Sequence, residues 1–441
     1  MSILEIQVDL FLNPIFVTIV SLLLIFFRTP RTEPVYAQFK RFRSTWHSSK
    51  PIHKVIEDGY NEVNGQEPFV VSWWAKDYLI LPSTYLKDIK QGGWSQLSFY
   101  RNISDAFHLH CSVGDLYSAP TAQRMPAIVQ RGLNLHLAQM TPVIVEEIDF
   151  AFGSVIKSPS EWQEVTAMPL FSEVAHRIAA RFLIGKELCR DEVFIKRSIS
   201  MLQSMLVTAL LTVKLPLGCC RSFLASPISL FHRWRLWQCT NMLLPVIESR
   251  IQENEGTSTK SEMDAIQWTL DLFPEISRDV DRRRFAHELL HNLWAGSAAP
   301  GGMITEVLYQ LLLYREDFVA IKKEVESSYV EYGWSEGMIN TLVLLDSFIR
   351  ETNRLFPTGS VTAARTVLEK PFQFSDGLTL PVGTRFGFPA KAIQGSCKEL
   401  ADTKTFHGRR FLIPNTSGPS EMASSVQKRR GASSVDFSNL A

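Results

Sequence analysis

The sequence lacks three features that would each point to a familiar class of protein. It has no excess charge, because 46 Lys and Arg residues face 45 Asp and Glu residues, giving a net charge of +1. Such a balance offers no electrostatic reason to expect a nucleic-acid partner. The six cysteines are scattered without a Cys-x-x-Cys pair, and no internal repeat is visible. We therefore expect free thiols, most of them buried as small hydrophobic side chains.

A long apolar run is present near the start, at residues 10–27. At about 1.5 Å of helical rise per residue, such a run just spans a bilayer core. Acidic residues precede it and Lys and Arg residues follow it, which places the C-terminal side in the cytoplasm. We expect a membrane anchor over residues 1–28, followed by a basic, proline-containing hinge over residues 29–50. A cleaved signal peptide is the alternative, but it requires a basic start.

Most of the remaining chain shows the three- and four-residue spacing of apolar side chains that is typical of helices. Two β-rich runs, residues 69–74 and 78–81, predict a hairpin, and residues 361–388 also favour strands. The sequence therefore predicts a mainly α fold with small β-sheets near each end. The last residues, 412–441, are rich in Ser, Asn and Gly and predict a loop-like tail.

A literal His-Glu-x-x-His motif occurs at His287, Glu288 and His291. On a helix, the two histidines would lie on one face and could hold Zn²⁺, with Glu288 as the general base of a metallopeptidase. A catalytic zinc site needs a third protein ligand, and the usual downstream positions hold Trp294 and Ser297 instead. The motif therefore has two interpretations. The first is a membrane-anchored zinc peptidase, and the second, which we favour, is a pair of ordinary histidines on a helix.

A more specific signal is an ordered series of residues in the last third of the chain. Glu351 and Arg354 are three residues apart on a predicted helix, so their side chains lie on one face. Pro357 then ends that helix. An arginine on a predicted strand, Arg365, follows, and Arg410 stands in a later loop. A lone Glu-x-x-Arg is common, whereas this order of parts is distinctive.

This series resembles the C-terminal half of the cytochrome P-450 haem-thiolate monooxygenases, and most of all the fungal ent-kaurene-oxidase-like branch. The resemblance implies a cytochrome P-450-like domain over residues 51–441. It further implies that Glu351, Arg354 and Arg410 form a buried charge network with a structural role. Breaking one partner of such a network typically costs about 3–5 kcal/mol.

The same resemblance assigns the oxygen-side helix to the stretch containing Ala295, Gly296 and Ser297. The two small residues would let this helix approach a flat cofactor closely. The family's acid and alcohol, which help deliver protons, are replaced by Ala298 and Ala299, and alanine cannot relay a proton. The resemblance leaves that role to Ser297, water or substrate.

Two further properties of this part of the chain concern helix geometry and the cofactor's charge. Pro300, followed by two glycines, predicts a kink or break in the helix. The resemblance implies that Arg365 pairs with one haem propionate and that Arg131, or else His136, pairs with the other.

The family places its haem-ligand Cys in a Phe-x-x-Gly-x-x-x-Cys-x-Gly loop beyond the position of Arg410, and that loop is absent from this sequence. We expect that the chain is cut short just before the loop. An upstream partial match ends at Cys189, but Asp191 stands where the loop needs Gly. We therefore interpret it as a helix end, with no metal ligand in this chain.

The function implied by the resemblance is oxidation of a lipophilic small molecule, such as a terpenoid or alkaloid of secondary metabolism. Haem b would carry the chemistry, NADPH-cytochrome P-450 reductase would supply electrons, and the anchor would hold the enzyme on the cytoplasmic face of the endoplasmic reticulum. The alternative is a haem-free relative that is inactive or binds a partner.

Overall fold

The predicted anchor lies outside the residues that the structure describes, as does the tail beyond residue 412. The computed structural model describes residues 34–42, 50–73, 76–89, 93, 96–118, 124–156, 162, 164–214, 221–255, 263–273, 282–396 and 400–412.

Helices make up most of this part of the chain, as predicted. In chain order they are α1 (Pro34–Ala37), α2 (Ile52–Glu62), α3 (Leu86–Ile89), α4 (Phe99–Phe107), α5 (His110–Val113), α6 (Arg124–Ala127), a π-helical turn (Ile128–Leu133), α7 (Asn134–Val155), α8 (Ala167–Leu183), α9 (Lys186–Arg190), α10 (Glu192–Lys214), α11 (Arg221–Ile228), α12 (Leu230–Glu255), α13 (Ala265–Leu272), α14 (Arg282–Leu313), α15 (Arg315–Tyr332), α16 (Glu336–Thr341), α17 (Val343–Leu355) and α18 (Ala390–Gly395).

The strands form one six-stranded sheet and one two-stranded sheet. They are β1 (Arg41–Phe42), β2 (Phe69–Trp73), β3 (Lys76–Ile80), β4 (Leu97–Ser98), β5 (Val361–Val367), β6 (Phe372–Gln373), β7 (Thr379–Leu380) and β8 (Arg385–Pro389). The larger sheet has the order β1-β2-β3-β8-β5-β4, and β6 pairs with β7.

The predicted hairpin is confirmed, since Phe69 pairs with Ile80 across β2 and β3. The sheet differs from the prediction in that strands from both ends of the chain join: β3 runs parallel to β8, with Leu79 opposite Phe386. Burial of these apolar side chains on both partners favours the pairing.

Part of the segment predicted as a hinge forms regular structure on this sheet. Residues 34–42 contain α1 and β1, and the side chain of Tyr36 is fully buried. Its hydroxyl accepts a 2.7 Å hydrogen bond from the backbone N–H of Arg385 in β8. This segment is therefore held to the sheet by both burial and a hydrogen bond.

The long helix α14 passes through the largest hydrophobic core, where Phe285, Leu289 and Leu293 are fully buried. It packs most extensively against α8. Two glycines permit this approach: a Cβ added at Gly296 would lie 2.9 Å from the Ala179 Cβ, and one added at Gly301 would lie 2.6 Å from the Ser172 Cα.

The predicted helix break at Pro300 is wrong, because α14 continues without interruption to Leu313. Pro300 removes only one backbone donor, the one that would face the carbonyl of Gly296. The next turns remain supported, since the Thr305 hydroxyl donates to the Gly301 carbonyl at 2.8 Å and Gly301 contacts α8 directly.

One helix of the described part is long and apolar enough to cross a membrane, over Glu192–Val213 in α10. Its Met201, Met205 and Ala209 are buried in the protein, and it packs against α12. A core helix with one exposed apolar face fits these contacts. The anchor expected over residues 10–27 stays a prediction.

The contact between Gly301 and Ser172 makes a prediction about stability. We expect Gly301→Ala to lower the free energy of unfolding by about 1–3 kcal/mol, because the new methyl group would push against backbone atoms. Urea denaturation measures the change.

The neighbouring Gly302 supplies a matched control, since a Cβ there would meet only the end of the Met168 side chain at 3.7 Å. Gly302→Ala should leave stability unchanged or raise it by up to about 1 kcal/mol through helix propensity. Equal effects of the two variants would contradict the close helix contact.

Candidate functional site

The structure brings Glu351, Arg354 and Arg410 into direct contact. Arg354 donates two hydrogen bonds to the Glu351 carboxylate, from Nε at 2.7 Å and from Nη2 at 2.9 Å. Arg410 Nε lies 3.0 Å from both carboxylate oxygens. The Glu351 side chain is completely buried. A buried carboxylate is thus matched by two guanidinium groups.

The remaining N–H groups of both arginines bind backbone carbonyls. Arg354 Nη1 donates to the Thr403 carbonyl at 2.6 Å and to the Gln394 carbonyl at 3.2 Å. Arg410 Nη2 donates to the Thr405 carbonyl at 2.8 Å. These bonds join α17 to the segment 400–412. None of the contacts named here involves α14. The network therefore fits a structural role.

Burial raises the pKa of Glu351, but hydrogen bonds from Arg354, the His407 N–H and Arg410 outweigh it, so that this pKa lies below its ordinary value. A carboxyl group with a lowered pKa in the folded protein stabilises the fold when it is ionised.

Arg365 occupies an irregular position on β5, where the pairing with β8 shifts register. Its Nη1 donates to the carbonyl of Ala364 at 2.9 Å, and its guanidinium lies 5.4 Å from the centre of the Phe99 ring. No carboxylate in the described ranges forms an ion pair with it. Burial lowers the pKa of Arg365. A half-buried guanidinium in these surroundings is suited to an anionic ligand.

The second predicted propionate contact has less support from its surroundings. Arg131 is exposed on the π-helical turn. His136 is engaged with the protein, because its Nδ1 lies 2.7 Å from the Gly132 carbonyl and its ring stacks on Trp268 at 5.0 Å. The role of Arg131 stays a prediction.

The three residues predicted for the oxygen side lie on different faces of α14. Ala295 is exposed, together with Ala298 and Ala299, along one face. Gly296 instead faces α8. Ser297 is buried, and its hydroxyl contacts His176 Nδ1 at 2.8 Å as well as the carbonyl of its own helix one turn earlier. Of the three, only Ala295 lies on the exposed face.

The His-Glu-x-x-His motif is not arranged as a zinc site. The Glu288 carboxylate is fully buried in a bidentate ion pair with Arg124, whose Nη2 and Nε lie 2.7 and 2.9 Å from it. His291 Nδ1 is 2.8 Å from the Tyr117 hydroxyl. No group of three potential metal ligands occurs within the described residues. The structure therefore argues against the peptidase alternative, because the Glu288 carboxylate predicted as its general base is held in a buried ion pair by Arg124.

The cysteines of the described part are free thiols, as predicted. Burial raises the pKa of Cys189 to about 12, with a further contribution from Glu147, and burial raises the pKa of Cys239 to about 12. Burial also raises the pKa of Cys111. None of these three environments favours a thiolate. The preceding helix α8 ends at Leu183, just before Gly185, as expected, and Cys189 lies inside the short helix α9.

The sequence did not predict the hydrogen-bond partners of Glu288 and Ser297. Arg124 and Glu288 are 164 positions apart, and His176 reaches Ser297 from another helix. A signal was available only for Ser297: it lies two positions after Ala295, and such residues point to different sides of a helix.

A long central helix, a mixed sheet and a Glu-x-x-Arg helix clamped by a later arginine define a mainly helical protein of the haem-monooxygenase type. The chain belongs to the cytochrome P450 family, because the model of the family described as "Cytochrome P450" matches residues 121–429. By family, the chain is a cytochrome P450 monooxygenase.

Three similar proteins, all from fungi, illustrate this family. The chain is 32% identical to cytochrome P450 monooxygenase sirB of Leptosphaeria maculans, over 80% of this chain and 68% of that protein. It is 26% identical to cytochrome P450 monooxygenase penP of Penicillium crustosum, over 89% and 72%. It is 24% identical to an ent-kaurene oxidase of Gibberella intermedia, over 80% and 65%. The predicted family is confirmed, while the ent-kaurene-oxidase-like branch stays a prediction.

The charge network around Glu351 predicts a large loss of stability on neutralisation. Glu351→Gln should lower the free energy of unfolding by about 3–5 kcal/mol at pH 7, because two buried guanidinium groups lose their counter-charge. The difference from the unchanged protein should persist down to about pH 5. It should then shrink as the pH falls through the lowered pKa, since protonation removes the same charge.

Asp346→Asn is the matched control, because Asp346 pairs with Arg350 on the same helix at a partly exposed position. It should cost less than about 1 kcal/mol. Urea unfolding at several pH values measures both variants, and equal losses at pH 7 would contradict the network's importance.

Because Glu288 is held by Arg124, we predict that the stability of the protein does not depend on bound zinc. The melting temperature of the purified chain should not change on treatment with 1,10-phenanthroline, and His291→Ala should not alter metal content measured by atomic absorption. Stoichiometric zinc that disappears in the variant would reinstate the metal site.

Proposed function

We propose that this chain oxidises a lipophilic small molecule in fungal secondary metabolism, with haem b as its cofactor. Membership of the family and similarity to the monooxygenases sirB and penP support the reaction type. The observation that carries the proposal is the half-buried Arg365, which has no carboxylate partner within the described ranges.

The described residues fit one part of the cofactor. Arg365 would hold a propionate, and the exposed alanine face of α14 presents no bulky side chain to a flat ring. The described cysteines do not fit the iron, because Cys189 and Cys239 are enclosed by apolar side chains of the core and Cys111 lies on a short helix, where burial raises its pKa. When bound, haem would supply the activation of oxygen.

At the alanine face of α14, the side chains provide space for a ligand but no proton donor. Ala298 and Ala299 have no exchangeable side-chain proton, and the buried Ser297 hydroxyl donates to the Leu293 carbonyl and accepts from His176 Nδ1. A proton needed at the alanine face would therefore come from water or from a substrate hydroxyl rather than from these side chains.

The proposal includes the partners and location expected from the sequence. NADPH-cytochrome P-450 reductase would deliver electrons, and an anchor at residues 10–27 would hold the protein at the endoplasmic reticulum membrane. The apolar run and the basic residues that follow it support the anchor.

A second candidate is a haem-free relative that is inactive or binds a partner. The observation that favours it is the state of Cys111, Cys189 and Cys239, none of which lies in an environment that stabilises a thiolate.

Spectroscopy of the full chain, expressed with haem supplied, separates these candidates. We expect a Soret band, and Arg365→Leu should weaken haem retention by about tenfold because an anion loses its buried cation. Competition with apomyoglobin measures retention.

Arg350→Leu is the control, since Arg350 already pairs with Asp346. It should retain haem like the unchanged protein. Absence of a Soret band would overturn the monooxygenase proposal and favour the haem-free candidate, and equal retention by the two variants would remove Arg365 from the site.

A further inference from the structure

Two buried histidines each leave one ring nitrogen unpaired. His232 on α12 is 1% exposed and His291 on α14 is 4% exposed. Their rings are perpendicular, with centres 6.4 Å apart. Within the described part of the chain, neither Nε2 atom has a hydrogen-bond partner. Buried polar atoms are nearly always paired, so two neighbouring exceptions suggest a place for a ligand.

The other ring nitrogens define which Nε2 atom carries a proton. The Ser204 hydroxyl donates to the Met201 carbonyl at 2.6 Å, so it accepts from His232 Nδ1 at 3.0 Å. His232 Nε2 is then an acceptor. The Tyr117 hydroxyl, whose pKa is raised by burial, keeps its proton and donates it to His291 Nδ1 at 2.8 Å. His291 Nε2 is then a donor.

The two imidazoles are neutral in this environment. Burial lowers the pKa of His232 to about 4 and that of His291 well below its ordinary value. His287 lies near both and disfavours further positive charge on either ring, which lowers both pKa values further. The pair therefore offers one donor and one acceptor without a charge to attract an anion.

An apolar cluster adjoins the pair at Tyr117, the hydrogen-bond partner of His291. Tyr117 belongs to a cluster that includes the buried Met125 and Met205, with the partly buried Phe107 and Trp294 packed against it. Methionine side chains are unbranched and adapt readily to irregular shapes. An apolar molecule with a single polar group would match these side chains and the neighbouring histidine pair.

The pair also has a defined position along α14. His291 is one turn before Ala295 and two turns before Ala299, on the same face of the helix. At about 1.5 Å per residue, these separations are about 6 and 12 Å.

We propose that His232 and His291 bind a neutral hydroxyl or amide group of the lipophilic substrate and hold it about 6–12 Å from the carbon that is oxidised beside the alanine face. The distance rests on the proposed function, whereas the hydrogen-bonding pair does not. A carboxylate is excluded as the preferred group, because it offers no donor to His232 and would lie against a neutral pair.

Calorimetric binding to the full chain at pH 7.5 tests the pair with probes that share one apolar cage. They are 1-adamantanol, which donates and accepts, 1-methoxyadamantane, which only accepts, and 1-adamantanecarboxylate, which is anionic. We expect the alcohol to bind about tenfold more tightly than either of the others. If it does not, or if none of the three binds, the proposal is overturned.

The variants His232→Phe and His291→Phe should reduce the preference for the alcohol to within about twofold. Both variants also remove the ring nitrogen that pairs with Ser204 or Tyr117, so we expect a modest fall in the ligand-free melting temperature. A lower melting temperature with an unchanged preference would show a structural pair only and would overturn the proposal.

His176→Phe is the matched control, since His176 is equally buried but has both nitrogens within 2.8 Å of serine hydroxyls. It should lower the melting temperature and keep the preference for the alcohol. A Soret measurement on the same samples separates the two proposals. If the protein prefers the alcohol but binds no haem, only the proposed function is refuted. If it binds haem but shows no preference for the alcohol, only this inference is refuted.

Discussion

The folded arrangement of the last described segment depends on one carboxylate. Glu351 is removed from water and accepts from two guanidinium groups and the His407 N–H. Within residues 400–412, Phe406 is the buried large hydrophobic side chain. Its ring contacts Tyr314 and Phe348 within a hydrophobic cluster. Charge-assisted hydrogen bonds to Glu351 and the burial of Phe406 together fix this segment against α17.

The second constraint is the division of α14 into two faces. One face gives up side-chain volume at Gly296 and Gly301 so that α8 can approach its backbone. Ser297 belongs to that packed side through its bond to His176. The other face carries small, exposed alanines. The same helix thus packs in the core on one side and is exposed on the other. This is why Ala295, Gly296 and Ser297, although adjacent in the sequence, have different roles.

Sequence reasoning succeeded where the information was local. The spacing of Glu351 and Arg354 gave their shared face, and the two β-rich runs gave the hairpin. It failed where contacts join distant positions, because no periodicity links Arg124 to Glu288 or His232 to His291. Helix continuity through Pro300 was also missed, since tertiary contacts compensate for one lost hydrogen bond. The family resemblance supplied the order of parts but not the direction of each side chain.

The pairing of β3 with β8 has a consequence during synthesis. Asp77 and Arg385, which are joined by a hydrogen bond at this seam, lie 308 positions apart. At about 5–20 residues per second, a ribosome needs ~15–60 s to make the intervening chain. Throughout that interval the β2–β3 hairpin has an open edge, and such an edge readily recruits other strands. Until β8 emerges, this open edge therefore makes the nascent chain prone to pairing with strands of other molecules.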